Sequence, residues 1–133
     1  MPGKGFTKES KVLVIDDDSS VRGFLENFLK AKGYNNVLAE STGEGGLRVA
    51  EEEADVKLVL LDVVLPDMSG IDVLRKIKGA NKEVKVIMIT GHPDEAMVKE
   101  AVKAGAHDYI IKPFNMFYLE LVLLTKLIQL KLK

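Results

Sequence analysis

Hydrophobic residues along the chain fall into two alternating kinds of segment. Short, unbroken apolar runs occur at Lys11–Ile15, Lys57–Asp62, Val84–Thr90 and His107–Ile111, with a weaker run at Asn36–Glu40. Runs this short, bounded by turn residues, read as strands buried on both faces. Between them lie segments with apolar residues at helical spacing. Val21, Phe24, Leu25, Phe28 and Leu29 form one such stripe, which stops at Lys32-Gly33. Leu47 and Ala50 mark a modest helix over Gly43–Glu53, weakened by the adjacent Gly45 and Gly46. Ile71, Val73, Leu74 and Ile77 mark a short helix over Ser69–Lys78. Met97, Val98, Ala101 and Val102 mark another over Asp94–Ala104, closed by Gly105. A final helix starts after Asn115 and runs to about Leu130.

Strand and helix therefore alternate five times. Right-handed crossovers then give an α/β fold with a single doubly wound, five-stranded parallel sheet. By analogy with flavodoxin-like (βα)5 folds the expected strand order is 2-1-3-4-5. Residues 1–10, with two glycines among mostly polar neighbours, are expected to form a flexible tail, and residues 11–133 the single folded domain.

Composition narrows the chemistry. There is no cysteine, which excludes disulfides, thiolate metal sites and cysteine nucleophiles. The net charge of −1 gives no footprint for direct nucleic acid binding. The first ten residues lack the apolar core of a signal peptide, so a cytoplasmic location is expected.

Parallel strands present all their C-terminal ends at one edge, which is where ligands bind in such sheets. Here the first strand delivers Asp16 and Asp17, the third Asp62, the fourth Thr90 and the fifth Lys112. Crowded carboxylates repel, and burying them without compensation is costly. A hard divalent cation with oxygen ligands, Mg²⁺ above all, together with Lys112, would balance them. Carboxylate, hydroxyl, ammonium and metal form a suitable set for phosphoryl transfer, with Asp62 as the nucleophile. Asp18 reads as a cap or surface residue and Asp67 as a turn residue after Pro66.

These residues carry a resemblance. Asp16-Asp17 after the first strand, Leu60-Leu-Asp-x-x-Leu-Pro-Asp-x-x-Gly70, Thr90, and Tyr109-x-x-Lys-Pro-Phe114 occur in the order and spacing of a response-regulator receiver domain of two-component signal transduction, and the chain is similar to the chemotaxis receiver over Lys11–Leu130. The resemblance implies that Asp62 accepts a phosphoryl group from the phosphohistidine of a sensor histidine kinase. It implies that Asp16, Asp17, Asp62 and the backbone carbonyl of Val64 hold Mg²⁺, and that Lys112 and Thr90 bind the phosphoryl group. Backbone amides near Val64 and Gly91 would face its oxygens, Tyr109 would move inward behind Thr90, and a cis Lys112–Pro113 bond would aim the ammonium. Val64 and His92 would flank the attacking water and tune the lifetime of the acyl phosphate. Gly91 stands where alanine is more usual and should loosen its loop.

On this reading the chain is a self-dephosphorylating switch, not a turnover enzyme. An aspartyl phosphohydrolase would want a second acid two residues after the nucleophile, where this chain has Val64. A flavodoxin-like electron carrier would want small hydroxyl and amide groups in the first loop, where Asp16-Asp17-Asp18 stands.

The last helix is apolar on two sides. Met116, Leu119, Leu123, Leu127 and Leu130 suit the sheet, and Phe117, Leu121, Leu124 and Ile128 form a second stripe. A doubly apolar helix is normally buried twice, so a homodimer or effector surface is expected there. Glu120 and Lys126 interrupt a run too short to span a membrane.

Overall fold

The computed structural model of the chain describes residues 6–91, 94–112 and 116–131, and the side chains among them except those of 116–120, 130 and 131. The elements follow in the order β1 (Lys11–Ile15), α1 (Ser19–Ala31), β2 (Val37–Glu40), α2 (Gly43–Glu52), β3 (Val56–Asp62), α3 (Gly70–Ala80), β4 (Lys85–Thr90), α4 (Glu95–Lys103), β5 (Asp108–Ile111) and α5 (Met116–Lys131). Ends differ from the sequence expectation by a residue or two. All strands are parallel, in the order β2-β1-β3-β4-β5, as expected.

The unbroken apolar character of the central strands is explained by two cores. Alternate strand residues point to opposite faces. Val12, Val14, Leu58, Leu60, Ile87 and Ile89 pack with Leu25, Phe28 and Leu29 of α1 and Leu123 and Leu127 of α5. Leu13, Ile15, Val59, Leu61, Val86 and Met88 pack on the other face with Val73, Leu74 and Ile77 of α3 and Ala101 of α4. Helices α1 to α4 are each started by a side-chain oxygen. Asp18 accepts from the Ser20 and Val21 amides, Thr42 from Gly45, Ser69 from Ile71, and Asp94 from Met97. Asp18 is thus the cap of α1, while Ser19 and Ser20 are its first residues.

The glycines of α2 have a use beyond their poor propensity. A Cβ on Gly46 would lie 2.3 Å from Cδ1 of Ile15, so the missing side chains let the helix sit close to β1.

Within the first ten residues, the described part, 6–10, contacts the folded domain. Phe6 is buried and stacks on Tyr34 with ring centroids 5.2 Å apart. The Asn36 side chain donates to the Glu9 carbonyl, and the Thr7 amide donates to the Ser10 hydroxyl. A single aromatic in a polar run gave no periodic signal, yet it closes the lower end of the α1-side core.

In α5, Leu123 and Leu127 face the sheet, while Leu121, Leu124 and Ile128 are 51%, 40% and 49% exposed. The expected second stripe is therefore open to solvent over its described residues; the side chain of Phe117 lies outside them. Among the described residues no helix is long and apolar enough to cross a membrane.

Candidate functional site: an acidic cluster with a lysine across it

Strand register builds the site. Ile15 lies beside Leu61, Asp62 beside Ile89, and Thr90 beside Ile111, so the residues ending β1, β3, β4 and β5 converge at one edge. Asp16 is almost fully buried just beyond β1. Its Oδ1 accepts from the Asp18 amide at 2.9 Å and its Oδ2 from Lys112 Nζ at 2.9 Å. Asp62 closes β3 and is also buried. Its Oδ1 accepts from the Val64 amide at 3.1 Å and its Oδ2 from Lys112 Nζ at 3.2 Å. Asp17 is exposed at the rim, and Asp16, Asp17 and Asp62 each offer an oxygen within 4.8 Å of the others.

The electrostatics are unbalanced. Burial, then the charge of Asp16, pushes the Asp62 carboxyl above the ordinary aspartate range, against the pull of the Val64 amide and Lys112. Burial would lower Lys112, but its hydrogen bond to Asp16 and the charges of Asp16 and Asp62 more than reverse this, so it is held above the ordinary lysine range. Three carboxylates against one ammonium leave a surplus of two negative charges when all are ionised. A hard divalent cation fits that surplus and that all-oxygen donor set.

The loop after Asp62 is fixed by close backbone packing. A Cβ on Gly70 would lie 2.0 Å from the Asp62 carbonyl oxygen, so only glycine permits this approach. The Gly70 amide donates to the Val63 carbonyl at 2.7 Å, and Val64 bridges Ser69. Val64 itself is 64% exposed.

Thr90 is buried at the end of β4, where its carbonyl accepts from the Lys112 amide at 2.6 Å. Beside it, a cavity of about 130 Å³ is lined by Met88, Thr90, Met97, Ala101, Ala106 and Tyr109. Tyr109 is 42% exposed at its edge. At Gly91, among the described residues, a Cβ would meet only side-chain carbons of Lys112, at 3.6 and 4.0 Å, which leaves room for alanine.

The structure therefore brings together Asp16, Asp17, Asp62 and Lys112, with Val64 joined to Asp62 and Thr90 next to Lys112. Tyr109 stands apart on the outer side of the cavity. His92 and Pro113, and with them the Lys112–Pro113 geometry, lie outside the described residues.

The family model described as "Response regulator receiver domain" matches residues 12–123. The chain belongs to the receiver domain family of response regulators. Receiver domains are the phosphoacceptors of two-component signalling and interact with histidine kinases. This receiver is 39% identical over 107 residues to the chemotaxis protein CheY1 of Helicobacter pylori, covering 79% of this chain and 86% of that one. It is 41% identical over 110 residues to part of a cyclic di-GMP phosphodiesterase of Thermotoga maritima, covering 83% of this chain and 29% of that protein. Among solved structures, a CheY-like receiver domain protein from Methanospirillum hungatei JF-1 superimposes with a TM-score of 0.83 at 32% identity, covering 92% of this chain and 97% of that one.

Arg22 is not singled out from sequence, and Asp67 reads there only as a turn residue. Arg22 donates to the Asp16 carbonyl at 2.7 Å from the first turn of α1. Asp67 accepts from the Gly43 and Glu44 amides at 2.8 and 2.9 Å. Six residues separate Arg22 from Asp16, a spacing that matches no local motif, and Asp67 acts across more than 20 residues, where periodicity carries no information.

Proposed function

We propose that Asp62 is the phosphoacceptor of this receiver and that Asp16, Asp17, Asp62 and the Val64 carbonyl hold Mg²⁺. The observation that carries this reading is the convergence of three carboxylates on one point with Lys112 bonded to two of them. Bound Mg²⁺ would supply charge neutralisation, allowing a phosphate donor to approach an acidic cluster.

The chain's own residues do the rest. An Asp62 oxygen attacks phosphorus as the P–N bond of a kinase phosphohistidine breaks. The electron pair leaves on the imidazole nitrogen, and the products are an acyl phosphate and free histidine. Lys112, already on Asp62, neutralises the equatorial oxygens. The amides of Val64 and Gly91 and the Thr90 hydroxyl are the remaining donors in this reading.

The product persists because the residue two positions on is Val64, whose exposed apolar side chain can neither deprotonate water nor protonate a leaving group. This favours a switch that undergoes one event per signal over a phosphohydrolase. His92 and Val64 would set the lifetime of the acyl phosphate.

The added charge draws Thr90 toward the phosphoryl group, and Tyr109 turns into the cavity beside it. Output then leaves through the face on which Tyr109, Val102, Ile111, Leu121, Leu124 and Ile128 are exposed, docking a second copy or an effector. The reaction takes place in the cytoplasm. Incubation with a small phosphoramidate and Mg²⁺, read by intact mass, tests the reading. One added phosphate is expected, absent in Asp62→Asn or with chelator; unchanged labelling in either would refute it.

A further inference from the structure

We propose that Asp67 is a positioning residue that ties the Asp62 loop to α2 and so fixes the two halves of the acidic cluster relative to one another. The proposal rests on the metal-site reading above.

The ends of the 63–69 loop are held by Gly70 against Asp62 and by the Val64–Ser69 bridge. Its tip is held differently. Asp67 reaches back 24 and 23 residues to accept from the Gly43 and Glu44 amides, one with each carboxylate oxygen. Such charge-assisted bonds at a helix N-terminus are strong and directional. The Glu44 and then the Gly43 amide hold the Asp67 carboxyl below the ordinary aspartate range. Met68 closes the same contact, since its Cγ occupies the space that a Cβ on Gly43 would need.

Helix α2 does not need Asp67 merely to begin. Thr42 is its cap, accepting the Gly45 amide at 2.9 Å and, through its carbonyl, the Gly46 amide at 2.9 Å. Asp67 takes the two amides that Thr42 leaves over. Three residues on, along the same face, α2 rests through Gly46 on Ile15, the residue immediately before Asp16. The route Val64–Asp67–Gly43–Gly46–Ile15–Asp16 thus joins the β3 side of the cluster to the β1 side, independently of strand pairing. Coupling of this kind is reciprocal. If Asp67 supports metal binding, metal binding must in turn protect the start of α2.

The test uses the full chain, with Mg²⁺ as probe, read by calorimetric affinity and by amide hydrogen exchange. Asp67→Ala is expected to bind Mg²⁺ about tenfold more weakly, and Asp67→Asn, which keeps an acceptor oxygen, to recover most of that loss. In the parent chain Mg²⁺ is expected to slow exchange at Gly43 and Glu44, an effect that disappears in Asp67→Ala. Thr42→Ala, which weakens the same helix without touching the loop, is expected to keep its affinity. Unchanged affinity in Asp67→Ala overturns the proposal. So does an equal loss in Asp67→Asn, which assigns the effect to charge at a distance, or in Thr42→Ala, which assigns it to helix stability. If the parent chain binds no Mg²⁺, the metal-site reading itself fails and Asp67 falls with it; loss confined to Asp67 variants leaves that reading intact.

Discussion

The ammonium of Lys112 lies 2.9 Å from Asp16, a residue 96 positions earlier in the chain. This contact joins β5 to β1 across two intervening strands, and the same nitrogen reaches Asp62 of β3 at 3.2 Å. One cation therefore compensates two buried anions. Removing it while they remain is the costly operation, because uncompensated buried charge is worse than a neutral substitute. Lys112→Met is expected to lower stability by about 3 kcal/mol at neutral pH without metal. Urea unfolding should show the loss shrinking when Mg²⁺ is added, since the metal supplies the missing charge.

Asp62 behaves in the opposite sense in the metal-free protein. Its folded-state pKa lies above the unfolded value of about 3.8, so the folded state binds more protons in the interval between the two. Stability contributed by Asp62 is therefore present below about pH 3.8 and is lost as pH rises through the folded-state pKa. Asp62→Asn, always neutral, should be more stable than the parent chain at neutral pH and should lack that component of the pH dependence. Excess Mg²⁺ should reverse the order, because only the parent chain gains the binding energy of an intact site. Melting temperatures of the two proteins, with and without Mg²⁺, check both statements.

Two glycines near the site make a matched pair. Gly70→Ala would put a carbon 2.0 Å from the Asp62 carbonyl oxygen, where backbone must move, whereas Gly91→Ala meets, among the described residues, only side-chain carbons of Lys112 at 3.6 and 4.0 Å. The first is expected to cost about 2–3 kcal/mol and to weaken Mg²⁺ binding. The second should stay within about 0.5 kcal/mol of the parent chain. Denaturant midpoints with Mg²⁺ titrations separate them.

Neighbouring leucines on α5 separate core from surface. Leu123 is fully buried and Leu124 is 40% exposed. Leu123→Ala should lose about 2–5 kcal/mol of stability. Leu124→Ala should lose little and instead weaken association through the exposed face, seen by light scattering or effector binding after phosphorylation.

The fold was legible because parallel strands buried on both faces must be continuously apolar, and because helical stripes separated them. The core of the site was legible for a related reason. Register in a parallel sheet brings every strand end to one edge, so Asp16, Asp17, Asp62, Thr90 and Lys112 could be assembled from their places alone. Phe6 was not legible, since one aromatic in a polar segment has no period. The closeness of α2 to β1 was hidden too, because Gly45 and Gly46 read as weak helix formers until Ile15 is seen filling the space beside Gly46. Asp67 read only as a turn residue because the Gly43 and Glu44 amides it accepts from lie more than 20 residues away along the chain.

The central claim is that phosphorus is accepted by the carboxylate of Asp62, and the most direct measurement is to locate the acyl phosphate chemically. After phosphorylation with a small donor and Mg²⁺, borohydride reduction converts an aspartyl phosphate to homoserine, which peptide mass spectrometry assigns to one position. The expected result is homoserine at residue 62 alone. Conversion at Asp16 or Asp17 instead, or phosphate retained on a hydroxyl side chain with residue 62 unmodified, would contradict the account.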